Sequence, residues 1–405
     1  MLTRSLCLIT LLLLFPSEAD AVQDEKPQPP SLDSLLIANR KPLTLAGTQA
    51  WGPGFDLLVN SAAEAQFFLI GEEHNLLELN RLAVALFDTL QARFGFQYLV
   101  LEQGNIIASW LDDAARFGGR DSVVTLVRAY PHAPTFATDE ELELIAHVRQ
   151  RSAAAGPAVW GVDQELAAMH LLERLADSNR SPAARAELER LAEQARPYES
   201  TRTGDVHYLY SVADQAEFMD LEALVGPLED TEQRALMEAL QRTARIYANR
   251  RTPLGAYEGG REREASMKAR FMEHYRIALQ DEVLPRAIVK MGHWHTFRGI
   301  YRGDVLTFGN FLSELATSNG SESVMVATYV VNGPEEWRNS GGAITRVADP
   351  NEIAVIDLRP LRPLAHQDMI ADLSESWRNL IFQADMLLII GGGRTGSYTV
   401  AYGED

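Results

Sequence analysis

"QFFLIGEEHNLLELNRLAVALFDTLQARFGFQYLVLEQG", Gln66 to Gly104, holds one complete structural unit. Gln66 to Gly71 is a short apolar run that breaks into charge at Glu72, as a buried strand does where it reaches its end. From Asn75 the apolar residues recur at three- and four-residue spacing, the pattern of one helix face, and Gly95 supplies the stop. Gln97 to Glu102 then repeats the strand pattern. Strand, helix and strand in alternation build an α/β fold, because parallel strands need a crossover helix between them.

Outward from this unit, similar runs occur at Ala158 to Asp163, Arg286 to Gly292, Ser323 to Val331, Ile353 to Leu358 and Asp385 to Ile390. A second helical pattern, "DEELELIAHVRQRSAAAG", follows Thr138, whose hydroxyl suits an N-cap, and is expected to stop at Gly156. Between Glu165 and Asp281 the chain turns to helix-forming sequence rich in Ala, Leu, Glu and Arg, with no strand pattern. The expected fold is α/β: a mainly parallel central sheet flanked by helices, with a helical insertion at about 165–285. There is no solenoid-type repeat.

Hydrophobic content of 46% and charged content of 23% over 405 residues are those of a soluble globular protein. The net charge of -19 argues against nonspecific nucleic-acid binding and against an anionic membrane surface. At the start, "MLTRSLCLITLLLLFPSEADAVQ" carries Arg4, an apolar core from Leu6 to Phe15 and Ala19-Asp20-Ala21 as a small-x-small signal. These are the parts of a signal peptide, with cleavage expected after Ala21 and a secreted or periplasmic destination. The apolar run is too short to span a bilayer, so no stable membrane insertion is expected. Cys7 is the single cysteine and would leave with the leader, removing disulfides, a Cys nucleophile and zinc–thiolate ligation together. Residues 22–34 read as a flexible, polar, proline-rich lead-in, and 35–405 as one domain.

The strands end in "LIGEEHN", "LVLEQG", "VWGVDQE" and "VKMGHWH". In open parallel sheets ligands bind at the carboxyl ends of strands, so polar residues there carry weight. Glu72 and His74 lie two apart and share a face while the backbone stays extended, as do His293 and His295. With Glu102 and Asp163 they would form a cluster of carboxylates and imidazoles. It could bind a divalent metal through Glu72, His74, Glu102 and His293, or poise a histidine as a general base oriented by carboxylates. Bland alternatives exist: Glu73 is assigned as the cap of the following helix, and Asp163 could equally cap a helix beginning at Gln164. "GGREREASMKARF" spaces Arg263, Met267 and Arg270 on one helix face, which could carry two guanidinium groups to the cluster. Arg298 is a further candidate for oxyanion stabilisation. His132, His147, His170, His207, His274 and His366 have weaker support. "GGGRTG", Gly391 to Gly396, matches a dinucleotide fingerprint but has too little chain after it, and reads as a turn.

Taken in order, "FLIGEEHN", "YLVLEQG", "VWGVDQE", "REREASM" and "KMGHWH" resemble the superfamily that joins erythromycin esterase-like hydrolases, ChaN haem-binding proteins and TIKI/TraB metalloprotease-like proteins. The resemblance covers about Gln66 to Gly299. In the esterase branch it implies His74 as the base activating water, Glu72 and Glu102 as orienting or ligand carboxylates, Arg263 as an electrostatic helper, and His293 or His295 as a late histidine. The expectation is an exported hydrolase cleaving an ester, lactone or amide in a small-molecule or peptide substrate, with a divalent metal as a candidate cofactor. The alternative is a ChaN-type periplasmic protein that binds haem or metal without catalysis. Two departures stand out: one residue separates Glu72 from His74 where the esterases have two, and the late motif offers two histidines.

Overall fold

Residues 28–179, 181–199, 208–211, 213, 215–219, 221–225, 230–250, 254–301, 304–333 and 342–402 are described by a computed structural model. The expected signal peptide (1–21), residues 22–27 and His207 lie outside the described residues. The strands are β1 (Arg40–Ala46), β2 (Gln49–Trp51), β3 (Ala65–Glu72), β4 (Tyr98–Gly104), β5 (Val159–Asp163), β6 (Ala287–Gly292), β7 (Ile300–Tyr301), β8 (Val305–Leu306), β9 (Glu322–Val331), β10 (Ile353–Asp357) and β11 (Met386–Gly391). The pair β7–β8 forms a small hairpin. The others form one nine-stranded sheet in the order β2-β1-β10-β11-β9-β3-β6-β4-β5.

From β11 to β5 the neighbours run parallel, while β10, β1 and β2 extend the sheet antiparallel. All seven strands read from the sequence are present, and β1, β2 and the β7–β8 hairpin are additions. The strands β1 and β2 are half exposed, and Pro42, which breaks the apolar run that marks a buried strand, falls where β1 pairs with β10 but not with β2. The chain leaves β5 into the helical insertion and returns as β6, which slots between β3 and β4. Ile288 of β6 faces Phe68 on one side and Leu99 on the other, so Gly292 ends level with Glu72. Four strand ends are thereby gathered at one edge.

Period-two alternation divides the apolar side chains between two faces. Phe68, Ile70, Leu99, Leu101 and Ile288 pack under the helices Leu77–Phe94 and Asp139–Arg151. Phe67, Leu69, Tyr98, Val100, Val289 and Met291 pack under the helices Gly255–Ala278 and Phe308–Ser318 through Met267, Phe271, Phe308 and Leu312. The insertion has a separate core around Leu172, Leu188, Phe218 and Leu240.

Several boundaries differ from the sequence reading. An ordered helix, Leu32–Ala38, starts inside the expected lead-in, because Ser31 caps it through Ser34 N (3.2 Å) and Leu32 and Leu36 are buried. Thr138 does cap its helix, but that helix stops at Arg151, where Ser152 turns extended, rather than at Gly156. After β5 no helix begins until Met169, so no helix starts at Gln164 for Asp163 to cap. The "GGGRTG" turn pins the loop after β3: Leu77 N–H donates to Arg394 O at 2.9 Å and Gly396 N–H to Asn75 O at 2.8 Å.

Candidate active site

β3 ends at Glu72, and Asn75 takes a left-handed conformation (φ 62°) to redirect the chain into the next helix. By alternation Glu72 belongs to the face of Phe68 and Ile70, whereas Glu102 belongs to the face of Tyr98 and Val100. The His74 ring crosses the strand ends and meets both. Its Nδ1 lies 3.0 Å from Glu72 Oε1, and its Nε2 lies 3.8 Å from Glu102 Oε2. Phe136 stacks on the ring at 4.1 Å. Gln103 fixes that loop, donating to Phe136 O at 2.8 Å and accepting from Thr135 N–H at 2.7 Å. Gly292 leaves room for the ring, since a Cβ there would sit 3.0 Å from His74 Nε2.

Arg263, on the helix Gly255–Ala278, ties two strand ends together. Its Nε and Nη2 donate to Asp163 at 2.9 and 2.5 Å, and Nη2 also reaches Glu102 Oε1 at 2.8 Å. The next residue, Glu264, holds His295 Nδ1 at 2.6 Å, while His295 Nε2 lies 3.4 Å from Glu102 Oε1. Glu102 Oε2 accepts from Gly292 N–H at 2.8 Å. Glu102 is thus surrounded by donors. On the other face, Lys290 of β6 is buried with Nζ 2.6 Å from both Glu72 Oε2 and Glu141 Oε2.

The structure brings together Glu72, His74, Glu102, Asp163, Arg263, His293 and His295 and separates others. His293 and His295 do not share a face, because β6 stops at Gly292 and residues 293–296 form one helical turn. Residues two apart in a helix point to different sides. His295 turns toward Glu264 and Glu102. His293 Nε2 accepts from Thr328 N–H at 3.0 Å, and its ring stacks on Phe297 and Tyr329. Glu73 is not a cap, since its helix starts at Leu77 with no side-chain cap; its Oε1 lies 3.9 Å from His293 Nδ1. Arg298 is spent on Asp385 (2.6 and 3.0 Å), and Arg270 pairs with Glu273 at 2.8 Å. Neither reaches the cluster. His147 pairs with Asp88, and His170 packs buried against Trp110 and Tyr130.

Sequence reading missed Lys290, Glu264 and Glu141. A lysine inside the apolar run "AIVKMG" was a signal, because an interior ammonium must be paired. Glu264 was adjacent to Arg263, but its partner is 31 residues away.

Burial and neighbouring charges move Glu72, Glu102, His74, His293 and His295 away from their ordinary pKa values. Burial alone would raise Glu72, yet the Lys290 ammonium and the His74 hydrogen bond outweigh it and hold the carboxyl below its usual range. Burial would likewise raise Glu102, but His295, His74 and Arg263 keep it well below that range. For His74, burial is outweighed by Glu102 and Glu72, and its pKa rises above 6.5. Burial, then the His74 charge, push His293 down to about 4. Burial and Arg263 press on His295, but Glu102 and Glu264 prevail and lift it to about 9.

The last two make opposite contributions to stability. His293 is favoured neutral in the fold, so its contribution is complete above pH 6.5 and is lost as pH falls toward 4. His295 is favoured protonated, so its contribution is complete below pH 6.5 and is lost as pH rises toward 9. Their sum peaks near pH 6.5, with limbs of at most about 1.4 kcal/mol per pH unit. In urea unfolding across pH, His293→Gln should flatten the acid limb and His295→Gln the alkaline limb; unchanged slopes would contradict these assignments.

The cluster opens into a cleft of about 590 Å³, with Glu73, Trp294, Phe297 and Tyr329 completing its walls. His74 is the more open of the central groups, with 37% of its side chain exposed against 3% for Glu72 and 7% for Glu102. Most donor atoms of the Glu72, His74, Glu102 and His293 set are engaged within the protein. Lys290, Arg263, His295 and main-chain N–H groups already occupy its oxygens and His293 Nε2. Among the described residues no group of three or more His, Cys, Asp or Glu side chains is arranged to hold a metal.

Solved structures show the same architecture. The chain is similar to a Bacillus cereus protein at 16% identity and TM-score 0.53, covering 90% of this chain and 98% of that one. It is similar to a succinoglycan biosynthesis protein at 14% identity and TM-score 0.54, covering 90% and 97%. A histidine-to-asparagine variant of the erythromycin esterase EreC, in its open conformation, matches at 12% identity and TM-score 0.52 over 84% and 94%. The fold is erythromycin esterase-like. No family model and no curated protein sequence matches the chain. At these identities the erythromycin esterase-like likeness speaks for the architecture alone, so the chemistry must come from this chain's own side chains.

Proposed function

We propose that the protein is a hydrolase in which His74 activates water to cleave an ester, lactone or amide. The observation that carries this is the Glu72–His74 pair. Glu72 is ionised and can only accept, so the shared hydrogen sits on His74 Nδ1. Nε2 is then left with its lone pair at the cleft. A water there gives its proton to Nε2 while its oxygen attacks the acyl carbon. The carbonyl oxygen gains the negative charge, and the Arg263 and His295 cations lie beside it in the cleft wall. As the tetrahedral species collapses, the acyl–oxygen or acyl–nitrogen bond breaks, and His74 returns its proton to the leaving group. The products are a carboxylic acid and an alcohol or amine.

The steps use no metal: the Glu72 and Glu102 oxygens are engaged by His74, Lys290, Arg263 and Gly292 N–H, and His74 Nε2 is the nitrogen open to the cleft. The haem-binding alternative would rest on Trp294, Phe297 and Tyr329 as the apolar faces of a cleft whose other side chains are ionisable. Export belongs to the same proposal and rests on the leader-like residues 1–21.

The test is a panel of aryl and alkyl esters, lactones and amides assayed across pH with chelator present. Hydrolysis of at least one class is expected, rising with pH through an acid limb centred above 6.5, because the base must lose its proton first. No turnover on any class, together with a Soret band in protein from haem-supplied cells, would favour the binding alternative.

A further inference from the structure

Lys290 is an unusual occupant for its position. It sits mid-strand in β6 with its backbone opposite Ile70 and Leu101, and only 2% of its side chain is exposed. Its ammonium touches no substrate-facing surface and bridges two buried carboxylates, Glu72 and Glu141, at 2.6 Å each. The consequence lies at Glu72. One carboxylate oxygen, Oε2, is taken by Lys290, and the other, Oε1, faces His74 Nδ1 at 3.0 Å.

We propose that Lys290 is a positioning residue that sets the tautomer of His74. With the ammonium against Oε2, Glu72 stays ionised and has no hydrogen to give, so neutral His74 must carry its hydrogen on Nδ1 and present a bare Nε2 to the cleft. Without that ammonium, Glu72 and Glu141 are left as two buried carboxyls with no ammonium between them, and His74 is the group left beside Glu72. A buried carboxyl in those surroundings takes up a proton. A protonated Glu72 donates to Nδ1, the histidine hydrogen moves to Nε2, and the nitrogen at the cleft ceases to be a base. Glu141 completes the arrangement from the helix Asp139–Arg151. Burial and the charge of Glu72 raise its pKa, and the Lys290 ammonium opposes that rise, so both carboxylates depend on the same cation.

The inference builds on the proposed role of His74, but the tautomer can be read without any substrate. Nitrogen-15 NMR of histidine-labelled protein distinguishes the two tautomers, and the His74 signal is identified by its absence in His74→Asn. Above its titration, wild-type His74 should carry hydrogen on Nδ1. In Lys290→Met, which keeps length and apolar bulk, the hydrogen should appear on Nε2. Turnover, where a substrate exists, should fall about 100-fold or more in kcat with little change in KM. Glu141→Gln, which retains Lys290, should keep the wild-type tautomer. If Lys290→Met does not fold, Glu72→Gln serves instead: Lys290 holds the amide oxygen and turns the NH2 toward Nδ1, giving the same shift to Nε2. Hydrogen remaining on Nδ1 in the folded variant overturns the inference, whatever its activity. A wild type with hydrogen on Nδ1 and no turnover would count against the hydrolase proposal alone.

Discussion

His74→Asn is expected to fold normally and to lose about 10²- to 10⁴-fold in kcat/KM, the range that a positioned general base supplies. The fold should survive because the ring lies beyond the end of β3 with 37% of its side chain exposed, outside both cores. What is lost structurally is the stack on Phe136, worth about 0.5–1.5 kcal/mol. Asparagine keeps a polar group near Glu72 but offers no basic nitrogen at the cleft. Circular dichroism and urea unfolding check the fold, and initial rates on the best substrate of the panel check the chemistry. Full activity in a folded variant would remove His74 from the mechanism.

Arg263→Met should have the larger effect on stability, about 3–5 kcal/mol in urea unfolding. The arginine is the cation between Asp163 at the end of β5 and Glu102 at the end of β4, both of which are buried. Removing it leaves Asp163 without its cation and takes one donor from Glu102, so burial of the pair is offset only by His295, His74 and Gly292 N–H at Glu102. Arg270→Met, two turns along the same helix, is the control. Its partners Glu238 and Glu273 are solvated, so the expected change is about 0–1 kcal/mol. Equal losses in the two variants would mean that the buried network does not hold the strand ends together.

Much of this architecture is visible in the primary structure because it depends on short-range pattern. The strand–helix–strand unit at 66–104 is legible since a buried parallel strand is continuously apolar and its crossover helix has a 3.6-residue period. The edge strands β1 and β2 were not, because half-exposed strands lose the contrast on which that reading depends. At the site, the strand-end acids and histidines could be placed at one edge from topology alone. Their pairings could not. Lys290 meets Glu141 across 149 residues, and Arg263 meets Glu102 across 161. Such partners are fixed by the return of β6 between β3 and β4, which no local signal announces. The faces of His293 and His295 turned on whether the strand continues past Gly292; it does not, and one helical turn sends them apart.

The role of His74 as the base is tested most directly by its titration measured twice, once by NMR in the free protein and once as the acid limb of kcat/KM against pH. Agreement of the two midpoints above pH 6.5, with that limb disappearing in His74→Asn, is the expected result. A limb that follows another group's titration, or a rate independent of pH between 5 and 9 while His74 visibly titrates, would contradict its role as the base.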